Sequence, residues 1–144
     1  PFAPIERKLG ITKITYEVSA LENILKETFG AIIYQEQVMQ IAGLIGNYTM
    51  TEADILRRIM SMGNTAKLEQ EKRKFLAGTK VRKISAQKAN KIWGQMERFA
   101  EYGFNKSHST AVAIIAYQTA YLKAHYPVEF MAAKRKTTQK RYPK

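Results

Sequence analysis

The sequence predicts an all-α fold, an irregular multi-helix domain of about six to seven helices. Apolar side chains recur every three to four positions along most of the chain, which is the spacing of an amphipathic helix. Glycines, alone or followed by asparagine, interrupt this pattern where helices are expected to end. No segment sustains the alternation of apolar and polar residues that is typical of a half-buried strand. The predicted helical domain covers residues 1–133.

Capping residues place the first two predicted helices. Ser19 and Glu22 have the spacing of a capping box, and Gly30 ends the helix that they begin. A second helix is predicted over residues 31–45. Asn47 ends it, because asparagine tolerates the left-handed conformation of a helix terminus.

A third predicted helix carries two adjacent arginines. Thr51 and Asp54 form a second capping signature at its start. Its apolar residues lie on one face, so Arg57 and Arg58 must point outward. The predicted inward residues are Ile55, Leu56, Ile59 and Met60.

The middle of the chain predicts two further helices joined by a basic connector. Residues 65–76 form a charged helix that Gly78 ends. The connector at residues 80–83 follows, and Ser85 caps the next helix, which Gly103 ends. The predicted inward face of that helix consists of Ala89, Ile92, Trp93, Met96, Phe99 and Ala100.

The last predicted helices follow a short polar loop at residues 103–107. The first of them runs to about His125, and its apolar middle, residues 111–116, predicts a helix that is buried on most sides. Pro127 suits the first position of a short final helix. Residues 134–144 are expected to form a disordered basic tail.

The composition is strongly basic. Lys and Arg number 24 against 12 Asp and Glu, which gives a formal charge of +12. Residues 134–144 hold six of the basic residues and no acid, so the rest of the chain still has six more basic than acidic side chains. A basic surface favours polyanions because each neutralised phosphate releases condensed counterions. The charge therefore favours a nucleic-acid partner over the alternative that it only aids solubility.

The same composition excludes several kinds of site. Without cysteine, the chain can form neither a disulfide nor a thiolate zinc site. Its single aspartate, Asp54, and its scattered glutamates do not supply the converging carboxylates of two-metal phosphoryl transfer. We therefore expect no catalytic residue, no metal site and no activity from this chain alone. No stretch approaches the roughly 18–20 apolar residues of a membrane span, so we expect no membrane partner and a cytoplasmic location.

Three stretches of the sequence resemble one known family. They are residues 27–42 (ETFGAIIYQEQVMQIA), residues 53–58 (ADILRR) and residues 99–108 (FAEYGFNKSH), the last continuing through residues 116–127 (AYQTAYLKAHYP). All three resemble stretches of the bacterial DNA polymerase III α subunit, a C-family replicative polymerase, in the family's order and near its spacing. The resemblance extends over residues 5–133 and indicates a fragment of the fingers region.

The resemblance implies a role within a larger enzyme. In the family the fingers are helical and close over the incoming nucleotide and the end of the duplex, while the palm supplies the metal-binding aspartates. The partners that it implies are dNTP, primer–template DNA, the remainder of the α subunit and the replisome. It implies no cofactor in this chain, and Mg²⁺ at the palm of the parent enzyme.

The resemblance assigns phosphate binding to two places. Arg57 and Arg58 would contact the incoming triphosphate, because guanidinium groups match phosphate oxygens in pairs and stay charged. A solvated helix face is the alternative for both. The resemblance also implies that the turn before the apolar helix faces the nascent base pair. Backbone N–H groups and the helix dipole attract anions at such a turn. Its candidate residues are Asn105, Lys106, Ser107 and His108. Capping or packing is the alternative for the serine and the histidine.

DNA contacts are predicted for three further groups of residues. Phe104 can stack on a base or anchor its loop in the core. The polar side chains at residues 34–37 can read the DNA backbone or form an internal hydrogen-bond network. The basic run at residues 80–83 can follow a DNA backbone or form a solvated face. The predicted DNA-binding residues are Tyr34, Gln35, Gln37, Lys80, Arg82, Lys83 and Phe104.

Two other functions fit the same sequence. The chain could be an autonomous, non-enzymatic basic helical module that binds nucleic acid through its surface and tail. It could also be a stable helical bundle without activity, whose bare apolar surface leads to self-association. Deletion of residues 134–144 separates the module from the polymerase fragment, because only the module would lose most of its binding.

Overall fold

The computed structural model describes residues 3–62, 65–100 and 103–141. Eight α-helices occupy most of these residues, and no strand is present among them. The helices are α1 (Ala3–Lys8), α2 (Glu22–Leu25), α3 (Gln35–Gly46), α4 (Met50–Met62), α5 (Thr65–Val81), α6 (Ala86–Ala100), α7 (Lys106–His125) and α8 (Pro127–Arg141). The prediction of an all-α fold is therefore confirmed. None of the described helices is both long and apolar enough to cross a membrane.

The chain divides into two compact units, Pro1–Lys106 and Ser107–Lys144. The first unit contains the hydrophobic core. At its centre lies α3, which packs against α4, α5 and α6. This arrangement follows from the sequence, because the apolar residues of each of these helices repeat on one face. The largest fully buried side chains are Leu21, Ile41, Ile45, Leu56, Phe75, Ile92, Trp93 and Met96.

The predicted inward face of α6 is largely confirmed. Its buried members are Ala89, Ile92, Trp93 and Met96. Phe99 is an exception, with 37% of its surface exposed, and the side chain of Ala100 lies outside the described part of the structure. The rings of Trp93 and Phe75 lie 5.4 Å apart between centroids in a tilted arrangement, which is favourable for aromatic pairs. This contact joins α6 to α5 inside the core.

Helices α3 and α5 approach each other closely at two glycines. Gly78 is buried within α5, and a Cβ atom added there would overlap with the backbone of Gly46 at the end of α3. Gly46 in turn leaves room for the ring of Phe75, which an added Cβ atom would approach to 2.6 Å. The prediction that Gly78 ends the helix is wrong, because α5 continues to Val81. Because Gly78 has no side chain, α3 and α5 can cross closely at this point, and the backbone of α5 remains helical.

One prediction is confirmed at the end of α3, and another is corrected at the start of α4. Asn47 ends α3 in the left-handed conformation, with φ 60°. At the start of α4, Thr49 and Glu52 form the capping box in place of Thr51 and Asp54. The backbone N–H and hydroxyl of Thr49 donate to the Glu52 carboxylate at 2.8 and 2.9 Å. Both pairs have the required spacing, but only Thr49 precedes the first turn of the helix, so Asp54 remains available for other partners.

Polar contacts join α5 to the start of α4. Lys74 Nζ lies 2.7 Å from the Glu52 carboxylate, and the Tyr48 hydroxyl donates to Glu71 at 2.8 Å. The hydrogen bond from Lys74, followed by those from Thr49, lowers the pKa of Glu52 from 4.5 to about 2. Burial, followed by the hydrogen bond to Glu71, raises the pKa of Tyr48. At neutral pH Glu52 is therefore ionised and Tyr48 is neutral, as these contacts require.

The segment before α3 departs from the predicted helices. Ser19 makes no capping hydrogen bond. Two short 3₁₀ turns, Ser19–Leu21 and Lys26–Thr28, lie on either side of α2. Gly30 follows with φ 80°, a conformation that suits a glycine after a helical segment. The second predicted helix begins only at Gln35, because the β-branched pair Ile32 and Ile33 favours extended backbone before it.

The second unit contains α7 and α8. No residue of α7 is buried, so the prediction that its apolar middle is buried on most sides is wrong for this chain. An all-round apolar helix needs several neighbours to cover it. The described part of its unit contains only one other helix, and that helix is largely polar.

Helix α8 is longer than the sequence predicted. It continues to Arg141, through most of the segment that was expected to be a disordered tail. Lys, Arg, Gln and Ala have high helix propensity, which explains why the helix does not stop at Ala133. Residues 142–144 lie outside the described residues.

Candidate functional site

A small cavity lies where α3, α4 and the segment before α7 meet. Its volume is about 220 Å³. The residues that line it are Gln35, Glu36, Met39, Asp54, Arg57 and Asn105. Gln35, Arg57 and Asn105 are residues for which the sequence predicted a binding role, and each comes from a different stretch of the chain. The fold of the first unit therefore brings these three stretches together at one place.

Two guanidinium groups share one carboxylate beside this cavity. Asp54 Oδ1 accepts hydrogen bonds from Arg57 Nη2 at 2.8 Å and from Arg57 Nε at 3.1 Å, and Asp54 Oδ2 lies 2.8 Å from Arg58 Nη2. Arg57 Nη1 also donates to Gln35 Oε1 at 3.4 Å. Residues three and four positions apart share one helix face, which explains the shared contact. The hydrogen bond from Arg57 is the main cause that lowers the pKa of Asp54, so Asp54 is ionised at neutral pH.

The two arginines differ in exposure. The side chain of Arg58 is 63% exposed and points outward, as the sequence predicted. The side chain of Arg57 is 25% exposed and forms part of the cavity wall. Because Asp54 offsets one of the two positive charges, the trio carries one net positive charge.

Two glutamates hold Lys106. Its Nζ lies 2.7 and 2.8 Å from the two carboxylate oxygens of Glu27, and its backbone N–H donates to both oxygens of Glu36 at 3.2 Å. Lys106 Nζ also lies 5.6 Å from the ring centroid of Tyr34, within the range of a cation–π contact. The hydrogen bond to Glu27 raises the pKa of Lys106. An anion that binds Lys106 therefore has to compete with Glu27.

Backbone hydrogen bonds fix the loop that precedes α7. The N–H of Gln35 donates to the carbonyl of Phe104 at 3.0 Å, and the N–H of Phe104 donates to the carbonyl of Ile33 at 3.2 Å. The loop is thereby held against the start of α3. The side chain of Phe104 is 63% exposed, so the alternative that it anchors the loop in the core is wrong.

Gln37 belongs to the interior of the fold. It is only 2% exposed. Its Oε1 accepts hydrogen bonds from the N–H groups of Ile33 at 2.8 Å and Tyr34 at 3.0 Å, and its Nε2 donates to Ile24 O at 3.1 Å and Thr28 Oγ1 at 2.8 Å. Both ends of the amide are thus engaged. The prediction that Gln37 contacts DNA is wrong for this placement, and the internal network that the sequence left as an alternative is its role.

The other predicted residues are exposed. Lys80, Arg82 and Lys83 lie at or just after the end of α5 and do not line the cavity. Ser107 and His108 lie in the first turn of α7, within the second unit. The roles that the sequence predicted for these five residues stay predictions.

The residues at the cavity do not fit a metal ion. Within residues 3–62, 65–100 and 103–141, no group of three or more His, Cys, Asp or Glu side chains is placed to hold one. The two carboxylates that line the cavity are engaged otherwise, Asp54 with arginines and Glu36 with a backbone N–H. The cations and amide groups here suit an anionic ligand better.

A comparison with known protein families bears directly on these residues. The family model described as the bacterial DNA polymerase III alpha subunit finger domain matches residues 4–100. This chain belongs to that family. The match includes the helices of the finger domain that carry Gln35 and Arg57, so two walls of the cavity lie within it.

Individual relatives of the finger domain are much longer proteins. The DNA polymerase III subunit alpha of Chlamydia pneumoniae is 49% identical over 129 residues, which cover 90% of this chain and 10% of that protein. The same subunit of Helicobacter pylori strain 26695 is 49% identical over 129 residues, covering 90% of this chain and 11% of that protein. The Thermus aquaticus subunit is 49% identical over 113 residues, covering 78% and 9%. The chain therefore spans about a tenth of the length of the curated relatives that it matches.

Sequence reasoning assigned no role in binding to three acidic residues that lie at the site. Asp54 was detectable, because its spacing of three and four positions to Arg57 and Arg58 allows both ion pairs. Glu27 and Glu36 were not detectable in this way. They meet Lys106 across 79 and 70 positions of sequence, and no local pattern signals such a contact.

Proposed function

We propose that this finger domain binds the triphosphate of an incoming dNTP and contacts primer–template DNA as part of a replicative DNA-directed DNA polymerase. Membership of the family supports the role in replication. The remainder of the α subunit and the replisome are the partners, and the cytoplasm is the setting. The remainder of the subunit supplies the catalytic carboxylates with their Mg²⁺, so this chain alone is inactive. The proposed nucleotide-binding residues of the first unit are Arg57, Arg58, Asn105 and Lys106. Ser107 and His108, which belong to the second unit, are proposed from the family resemblance alone.

The observation that carries the proposal is the shared cavity wall. Gln35, Arg57 and Asn105 line one cavity although they are far apart in sequence, and Lys106 directly follows Asn105. A guanidinium group donates paired hydrogen bonds to phosphate oxygens, and an ammonium group adds a point charge. Cations and amides that converge from separate elements suit a polyanion such as a triphosphate.

The size of the cavity favours the phosphates over the whole nucleotide. Its volume of about 220 Å³ lies below the roughly 300–1,000 Å³ of pockets that enclose a complete small molecule. The phosphates would therefore occupy the cavity while the base remains outside it, beside the exposed ring of Phe104. Stacking on an aromatic ring tolerates every base, so one site can accept all four nucleotides.

Binding of a triphosphate at this site replaces the ion pair between Lys106 and Glu27 with one between Lys106 and the phosphates. Glu27 holds Lys106 in a pair whose two side chains are 47% and 48% exposed. Such exposed pairs contribute only about 0–1 kcal/mol, so a triphosphate can displace Glu27 at small cost. The role of the cations is to neutralise and orient the phosphates, while the chemistry takes place on groups from the remainder of the subunit.

The proposed DNA contacts lie in two places. Tyr34, Gln35 and Phe104 flank the cavity and face the end of the duplex. The exposed basic side chains of Lys80, Arg82 and Lys83, at or just after the end of α5, follow the DNA backbone. The apolar exposed surface of α7 packs in the parent enzyme against the remainder of the α subunit.

A non-enzymatic nucleic-acid-binding role is the second candidate. The exposed side chains of Lys134, Arg135 and Lys136 in α8 favour it, together with the net charge of the chain. If this role is the main one, removing residues 134–144 abolishes most DNA binding, because these residues hold half of the excess positive charge. Under the polymerase proposal the same deletion leaves binding of the triphosphate unchanged.

Arg57→Ala is expected to weaken the binding of a dNTP to this chain about tenfold or more, because a hydrogen bond to a charged group contributes about 1.5–3 kcal/mol. Titration of the chain with a fluorescently labelled dNTP measures the affinity. Arg73→Ala is the matched control, since it removes the same charge from an exposed position on α5. It is expected to change the affinity less than about twofold. Equal losses in both variants would mean that overall charge alone holds the nucleotide, contrary to the proposal.

A further inference from the structure

We propose that Asp54 is a positioning residue that fixes Arg57 relative to Arg58, so that the two guanidinium groups meet two neighbouring phosphates of one triphosphate. The sequence predicted only a helix cap for Asp54, and the structure gives that task to other residues. This inference rests on the proposed triphosphate site and identifies what organises it.

The geometry shows one carboxylate bridging two arginines. Oδ1 of Asp54 accepts hydrogen bonds from Arg57 at 2.8 and 3.1 Å, and Oδ2 lies 2.8 Å from the guanidinium group of Arg58. Because each oxygen is committed to a different guanidinium group, neither arginine can turn away without breaking its contact. Gln35 adds a further contact to Arg57 at 3.4 Å. Arginine side chains have many rotamers, and ordering them in advance lowers the entropy that a ligand loses on binding.

Helix capping and stability do not explain this carboxylate. Thr49 and Glu52 already cap α4, so Asp54 is not needed to begin the helix. Its side chain is 32% exposed, and those of its partners are 25% and 63% exposed. Ion pairs this open to solvent contribute little to folding. The remaining consequence of the bridge is the arrangement of the two arginines at the cavity.

Charge and positioning predict opposite effects for the loss of this carboxylate. A negative charge beside a phosphate site repels every phosphate ligand. If Asp54 acts by charge alone, a neutral residue in its place strengthens the binding of any phosphate. If Asp54 positions the arginines, the neutral residue weakens the binding of a triphosphate, because a triphosphate needs both arginines. It leaves the binding of inorganic phosphate unchanged, because a single phosphate needs only one arginine.

The test compares Asp54→Asn with Glu17→Gln in the complete 144-residue chain, using a dNTP and inorganic phosphate as separate ligands. Glu17 pairs with Lys91 at 2.6 Å and does not line the cavity, so its replacement changes the net charge equally at another place. Asp54→Asn is expected to weaken dNTP binding about three- to tenfold, because the ligand must then order two long side chains. Its binding of inorganic phosphate is expected to stay the same or to strengthen. Glu17→Gln is expected to leave both affinities unchanged.

Asp54→Glu tests the same residue by rescue. It keeps the carboxylate on the same helix face and is expected to recover most of the dNTP affinity that Asp54→Asn loses. If Asp54→Asn fails to fold by circular dichroism, Asp54→Ala replaces it with the same expected result, since alanine favours the helix.

Three results would overturn the inference. Equal or tighter dNTP binding by Asp54→Asn would show that the carboxylate acts only by charge, and the proposed function would stand. Parallel losses for dNTP and inorganic phosphate would show a general structural role, again without harm to the proposed function. Absence of any Arg57-dependent dNTP binding in the unsubstituted chain would remove the proposed function and this inference together.

Discussion

Gly78→Ala is expected to destabilise the finger domain by about 3 kcal/mol or more. A Cβ atom at this position would overlap with the carbonyl group of Gly46. The backbone of Gly46 cannot move aside unless α3 and α5 separate, and α3 is the helix at the centre of the core. Extra atoms in a well-packed core typically cost about 1–3 kcal/mol and more where backbone must move. Urea unfolding followed by circular dichroism measures the change.

Gly94→Ala is the matched control for this crossing. Gly94 lies inside α6, and no heavy atom lies within 4 Å of a Cβ atom added there. Alanine is expected to stabilise this helix by about 0.5–1 kcal/mol. If Gly78→Ala unfolded at the same urea concentration as the unsubstituted chain, the close packing of α3 on α5 would be refuted.

Gln37→Ala is expected to lower the free energy of unfolding by about 3 kcal/mol. The substitution leaves the N–H groups of Ile33 and Tyr34 and the carbonyl of Ile24 without the partners that the glutamine supplies. Each buried polar group without a partner costs about 1–3 kcal/mol. The same urea unfolding experiment measures the loss. Because Tyr34 directly precedes Gln35, the start of α3 beside the cavity is also expected to loosen.

Gln40→Ala serves as the control for Gln37→Ala. Gln40 lies on the same helix but is exposed, so its replacement is expected to change the free energy of unfolding by no more than about 0.5 kcal/mol. Similar unfolding of the two variants would mean that the buried amide network contributes nothing.

Features of the fold that depend on local chemistry could be predicted from the sequence. Asn47 ends α3 because its side chain tolerates a positive φ, and the spacing of Ala89, Ile92, Trp93 and Met96 identified the buried face of α6. Features that depend on a neighbouring helix could not be predicted. Gly78 looked like a helix end because nothing in the local sequence shows that Gly46 packs against it.

The candidate site divides in the same way. Arg57 and Asn105 were named through the family resemblance of the stretches that contain them, and both residues line the same cavity. For Gln37 the sequence left a DNA contact and an internal hydrogen-bond network as alternatives, because a polar side chain in a polar run does not show whether its amide is buried. The pair of Glu27 with Lys106 depends on how the chain folds back, so only the structure shows it.

The exposed surface of α7 shows a further limit of sequence patterns. The apolar run at residues 111–116 indicates that other elements cover this helix, but it does not identify those elements. This chain spans about a tenth of the length of its curated relatives, and under the proposed function the remainder of the subunit covers this surface.

The most direct test of the central claim is the affinity of this chain for labelled primer–template DNA, measured across a salt series with and without the dNTP that matches the template. We predict that the matching dNTP strengthens DNA binding and that Arg57→Ala removes this gain. DNA binding that falls steeply with salt and does not respond to the dNTP would contradict the claim, because the basic surface of the chain alone would then account for the binding.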